Sequence, residues 1–144
     1  MAEPVIINAE GAVLGRLATN VAKRLLKGEQ VIIVNAERAV ITGRREDILE
    51  HYKHKLDLGG ARMGPHYPRM PHLMVRRTVR GMLPFKTSHG REAYRHLRVH
   101  ISVPAELKGK ELKVVEQAMR PPTHGSMTVG EISKLLGAKW EVRQ

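Results

Sequence analysis

Val31-Ile32-Ile33-Val34 is a run of four β-branched residues with no polar residue between them. A strand with one face in water alternates in polarity, so an unbroken apolar run predicts a strand covered on both faces, as in a parallel sheet flanked by other layers. Reading outward toward the N-terminus, Gly28 is a helix stop. Before it, a spacing of about 100° per residue puts Leu14, Leu17, Ala18, Val21 and Leu25 on one face and Arg16, Lys23 and Lys27 opposite. That helix is preceded by a second β-branched run, Val5-Ile6-Ile7, bounded by Pro4 and Asn8. Strand, helix and strand in this order form a βαβ unit, whose connection implies parallel pairing.

Toward the C-terminus, Ala39-Val40-Ile41 predicts a third short strand, and Thr42-Gly43 lead into a helix carrying Ile48, Leu49, Tyr52 and Leu56. Residues 57–71 hold Gly59, Gly60, Gly64, Pro65, Pro68 and Pro71 without an apolar period, which predicts a long basic loop punctuated by Arg62, His66 and Arg69. A helix over 71–83 follows, with Val75, Val79 and Met82 on one face and Arg76, Arg77 and Arg80 on the other. A second helix, over 88–97, turns Arg91 and Arg95 away from Ala93 and Leu97. Alternation of Val99, Ile101 and Val103 before Pro104 predicts a fourth strand over 98–103. A helix is expected over 111–119, stopped by Pro121-Pro122. Finally, Thr128-Val129-Gly130-Glu131 has capping-box spacing and opens a short helix with Ile132, Leu135 and Leu136, stopped by Gly137 and pinned by Trp140. The expected fold class is α/β, with residues 1–144 as a single domain and 104–144 as a C-terminal extension packed on the body.

Composition narrows the function. There are 25 Lys and Arg against 14 Asp and Glu, a formal charge of +11. The excess is concentrated: residues 51–100 carry 11 basic and 2 acidic side chains, whereas residues 1–50 carry 7 of each. Such a block suits a surface laid on a phosphate backbone. With no cysteine, disulfides, thiolate metal sites and cysteine nucleophiles are excluded. No apolar run is long enough to span a bilayer, and Met1-Ala2-Glu3-Pro4 has no secretory pattern, so a cytoplasmic protein without a membrane partner is expected.

Enzymatic motifs are weak. Gly11-Ala12-Val13-Leu14-Gly15 lies where a glycine-rich turn binds pyrophosphate, but its GxxxG spacing is neither that of a dinucleotide fold nor that of a phosphate-binding loop. Glu37, just past the second strand, stands where such a fold places its ribose acid. The structural alternative is that Gly11 and Gly15 shape a turn and let the helix approach the sheet. A nucleotide-binding α/β enzyme using this turn stays as the alternative reading. His51 with His54 and His96 with His100 offer metal-like pairs, but Lys53 and Lys55 repel a cation at the first pair. No serine stands in a nucleophile-elbow pattern. What remains are the basic faces. Arginine grips phosphate bidentately, and with one Phe, three Tyr and one Trp the chain has little to stack bases on, which favours backbone and shape recognition of folded RNA. The candidate RNA contacts are Arg16, Lys23 and Lys27 on the first helix, Arg44 and Arg45 before the second, and Arg62 and Arg69 in the loop. Arg76, Arg77 and Arg80, then Lys86, Arg91, Arg95 and Arg98, complete the set.

Val-Leu-Gly-Arg-Leu-Ala at 13–18, Ala39-Val40-Ile41-Thr42-Gly43 and Arg76-Arg77-Thr78-Val79-Arg80-Gly81-Met82-Leu83-Pro84 together resemble the ribosomal protein L-thirteen family of the large subunit, nearly end to end. Arg80-Gly81-Met82-Leu83-Pro84 is the most diagnostic segment. The tail from Met127 to Gly137, and Ile101-Ser102-Val103-Pro104-Ala105 in place of the bacterial His-Pro-His, resemble the archaeal and eukaryotic branch. The resemblance implies a three-layer α/β/α domain around a mainly parallel four-stranded sheet, a structural protein bound to large-subunit rRNA beside neighbouring ribosomal proteins, important early in subunit assembly, with no cofactor and no small-molecule substrate.

Overall fold

The computed structural model describes residues 3–119 and 125–142, so Pro121-Pro122 and Met1-Ala2 lie outside the described residues. In chain order the elements are β1 (Val5–Asn8), α1 (Leu14–Leu26), β2 (Val31–Val34), β3 (Val40–Thr42), α2 (Arg45–Asp57), α3 (Pro71–Met82), α4 (Ser88–Arg95), β4 (Leu97–Val99), β5 (Ser126–Thr128) and α5 (Val129–Leu135). Short 3-10 turns stand at Ala36–Arg38, Ala105–Leu107 and Glu116–Ala118.

The two β-branched runs pair in parallel, Val5 opposite Val31 and Ile7 opposite Ile33, and β4 joins the other edge of β2 in parallel, Val31 opposite Leu97. Side chains along these strands alternate between two apolar clusters. Ile7, Val31, Ile33 and Leu97 face the main core, where α1 packs on α3 through Leu17, Val21, Leu25, Met74, Val75 and Val79. Ile6, Ile32 and Val34 face the other side and meet Val103, Leu107 and Leu112. The helical layer expected on that second face is therefore replaced by the segment around the 105–107 turn.

The four-stranded parallel sheet needs correcting: the parallel sheet has three strands, in the order β1-β2-β4, and β3 pairs antiparallel with β5, Val40 opposite Thr128. Beyond β2 the chain turns at Asn35, which takes a left-handed conformation (φ 56°), and the 36–38 turn carries β3 out of line with the sheet. The partner strand β5 sits where only the start of a helix was expected. The fourth strand also ends early, at Val99. His100 still donates its N–H to Ile33 O, but Ser102 is left-handed (φ 61°) and gives its N–H to the Glu37 carboxylate, curling the chain over the end of β2.

The helix expected over 111–119 is reduced to the Glu116–Ala118 turn. Ahead of it, Lys113 N–H bonds Ile6 O and Asn8 N–H bonds Lys113 O, so this stretch supplies the otherwise unpaired edge of β1 with backbone partners. Helix α4 stops at Arg95, because Leu97 pairs with β2. On α3, Val75 and Val79 are buried as expected, but Met82 is 42% exposed and Leu83 fills the core in its place. Met82 is the last residue of the helix and reaches out over α1, its Sδ 3.5 Å from Thr19 Oγ1. The expected capping of α5 is present: Thr128 Oγ1 accepts from Glu131 N–H at 3.2 Å. Trp140 lies over Gly130, whose absent side chain would come within 2.9 Å of the indole.

Candidate nucleic-acid interface

The crevice at the carboxyl ends of parallel strands, where an α/β fold binds nucleotides, is filled by the protein itself. Val13 N–H, at the N-terminus of α1, bonds Ala118 O at 2.8 Å, and Ala118 is fully buried there. Gly11 does have the left-handed backbone (φ 74°) that a turn requires, and Met119 Cε would lie 3.3 Å from a side chain on it. Gly15 does not serve the close packing expected of it, since a Cβ there would meet nothing within 4 Å. Glu37 is buried and engaged with Ser102 N–H and, at 3.9 Å, with Arg38 Nε. Among the described residues no group of three His, Asp or Glu is placed to hold a metal ion.

Two of the candidate arginines, Arg76 and Arg80, and the lysines Lys55 and Lys134 sit on aromatic rings. Arg76 and Arg80 stand one turn apart on α3. The Arg76 guanidinium lies 4.7 Å from the Tyr94 ring centre and that of Arg80 lies 4.2 Å from Phe85, while Phe85 and Tyr94 meet edge to face at 5.6 Å. The corner that brings these rings together depends on Gly90: any Cβ there would fall 2.1 Å from Pro84 O, and Thr87 caps the helix by accepting from Gly90 N–H. Arg77, about 100° further round α3 than Arg76, belongs to a second group. In it Lys55 Nζ sits 4.8 Å above Tyr67 and 5.1 Å from Tyr52. Burial, and then the Arg77 charge, hold the Lys55 ammonium below the ordinary lysine pKa. His72 is likewise held below the ordinary histidine value, by burial first and then by His100 and Arg76. Lys134 over Trp140, at 4.7 Å, completes a pattern in which each of the five aromatic residues lies beside a cation. The aromatics too few to stack a strand of bases instead orient charged groups.

Of the sequence-derived set, Arg16, Lys23 and Lys27 lie exposed along α1, which packs on both α3 and α4. Arg91 and Arg95 lie exposed on α4, with Arg98 exposed on β4 and Lys86 in the α3–α4 connection. Arg76 and Arg80 are half-buried on their rings; Arg77 is exposed. Arg62 and Arg69 are in the loop, and the Arg69 carbonyl is fixed by the Ser133 hydroxyl of α5. Arg44 and Arg45 start α2, apart from the α1–α3–α4 group, beside the end of β3. Lys55 and His72 were missed, though Tyr52 and Lys55 at i, i+3, and His72 and Arg76 at i, i+4, carry the signal of shared helix faces. Among the described residues the ion pairs are Arg24–Glu29 at 3.1 Å, Arg38–Glu10 at 3.0 Å and Arg38–Glu37 at 3.9 Å. None of the fourteen candidate contacts takes part.

Compared with known proteins, residues 2–106 match the family described as Ribosomal protein L13. The chain is 49% identical over 135 residues to the large ribosomal subunit protein uL13 of Archaeoglobus fulgidus, covering 92% of this chain and 86% of that protein. It is 48% identical over 139 residues to the protein of the same description from Methanosphaera stadtmanae, covering 94% and 98%. To that of Thermoplasma acidophilum it is 43% identical over 132 residues, covering 92% and 97%.

Proposed function

The chain belongs to the ribosomal protein L13 family, and from that premise we propose that it is a non-enzymatic structural constituent of the large ribosomal subunit that grips rRNA phosphates and supports early subunit assembly. The observation that carries the rRNA reading is that fourteen basic side chains, on α1 and its C-terminal end, α3, the α3–α4 connection, α4, β4, the 57–71 loop and the start of α2, have no acidic partner among the described residues. An unneutralised cation at a surface is satisfied by a polyanion, and arginine offers phosphate two parallel N–H bonds. Chain 1–144 acts here as one rRNA-binding unit, its neighbours being other large-subunit proteins. Sedimentation of cell extracts tests it: the protein travels with the large subunit and leaves only at high salt. Most of the protein free at physiological salt, with intact ribosomes present, overturns the reading.

A further inference from the structure

Gly81 is exposed within α3, its φ is outside the left-handed region, and a Cβ on it would meet nothing within 4 Å. Nothing inside the protein calls for glycine there, unlike Gly90 with Pro84 O against it, and alanine would favour the helix. A glycine with no internal reason marks a place where an outside molecule can come close to the backbone. Gly15 has similarly open surroundings but lines none of the described cavities, whereas Gly81 lines one.

That cavity, of about 380 Å³, lies between the end of α2, the 57–71 loop and α3. Leu58, Pro65 and Tyr67 give it an apolar wall, and Lys55 and Arg77 give it two cations that pair with no acid among the described residues. We propose that the cavity receives one unpaired nucleotide of the bound RNA, with its base against Pro65 and Tyr67, its phosphate on Lys55 and Arg77, and its sugar against Gly81. This deepens the rRNA reading and rests on it. An apolar wall beside two cations that pair with no acid among the described residues matches the two halves of a nucleotide, and the volume falls in the range of roughly 300–1,000 Å³ common for small-ligand sites. Burial and Arg77 destabilise the Lys55 ammonium, and an anion bound there offsets the Arg77 repulsion by its opposite charge.

The test uses the full chain with deproteinised large-subunit rRNA from the same cells. Gly81→Ala raises the Tm of the free protein by a few degrees, about what an exposed helical Gly-to-Ala change gives a domain of this size, yet weakens rRNA binding several-fold. Tyr67→Leu, with folding checked by circular dichroism, weakens binding by roughly five- to a hundredfold through lost base contact. Both variants keep the wild-type slope of log affinity against log salt, because no phosphate contact is removed. Ultraviolet crosslinking followed by mass spectrometry gives a nucleotide adduct on a peptide containing His66 or Tyr67. Wild-type affinity in both variants, an adduct only outside residues 55–81, or a ribosomal protein crosslinked there in place of RNA overturns the pocket. So does saturable stabilisation by micromolar 5′-AMP without RNA, which would make it a free-nucleotide site. If rRNA still binds with its full salt slope, only the pocket falls; if rRNA does not bind at all, the broader reading falls with it.

Discussion

The Arg76 guanidinium lies 4.7 Å from the Tyr94 ring centre, and its Nε is buried with no hydrogen-bond partner among the described residues. The ring holds the guanidinium on one side, so little side-chain freedom is left to lose on binding. Arg76 thus serves two purposes, joining α3 to α4 and presenting charge. Arg77, exposed one residue later, has no such seat among the described residues.

The two arginines should therefore fail differently. Arg76→Gln removes a cation–π contact and its packing, costing about 0.5–2 kcal/mol of stability, and also weakens rRNA binding. Arg77→Gln leaves stability within about 0.5 kcal/mol of wild type. Each substitution flattens the salt slope by roughly 0.7–0.9 if it removes one phosphate contact. Urea midpoints and filter binding across a salt series measure both quantities. A wild-type slope in the double variant would make this face plain solvated surface.

Along the same helix, Val79 is fully buried and Met82 is not. Val79→Ala should cost about 1–3 kcal/mol, with the salt slope unchanged. Met82→Ala should cost well under about 2–5 kcal/mol, the range for a methionine truncated in a core, because its side chain already meets solvent. Equal losses in the two variants would return Met82 to the core where its spacing alone had put it.

That contrast shows where the sequence was legible. The βαβ opening, α3 and the cap of α5 rest on local signals: unbroken β-branched runs, a 3.6-residue period and a Thr at the cap. The misreadings are non-local. Nothing near Ala39-Val40-Ile41 says that its partner is Ser126–Thr128, and nothing in 111–115 says that β1 lacks an edge partner for Lys113 to supply. Ile101 and Val103 alternate like a strand, but the left-handed Ser102 between them is fixed by Glu37, 65 positions away in the chain. For the interface, residue type and helix spacing located the arginines. The aromatic seats depend on how α2, the loop, α3 and α4 pack, and so stayed hidden.

Gly11 and Gly15 provide a clean pair. Gly11→Ala forces a side chain into a left-handed conformation and should cost about 1–2 kcal/mol. Gly15→Ala meets no atom and sits in a helix, so it should stabilise by about 0.4–1 kcal/mol. Thermal melts of both variants check this. Destabilisation by Gly15→Ala would restore the close packing first expected there.

His72 gives the fold a pH dependence of definite sign. Burial, His100 and Arg76 all disfavour its imidazolium, so its pKa in the folded protein lies below the ordinary 6.5. As pH falls through 6.5 the unfolded chain takes up a proton that the folded chain still refuses, and stability declines until the folded value is passed. The full contribution is present above pH 6.5. Urea midpoints should thus drop between pH 7.5 and 5.5, and His72→Gln, which cannot titrate, should shrink that drop. Bound RNA should act in the opposite direction on this group: a phosphate near Arg76 favours His72 protonation, so the part of rRNA affinity linked to His72 should rise as pH falls through 6.5. A His72→Gln protein with the wild-type pH dependence would assign the effect to another histidine and remove His72 from this role.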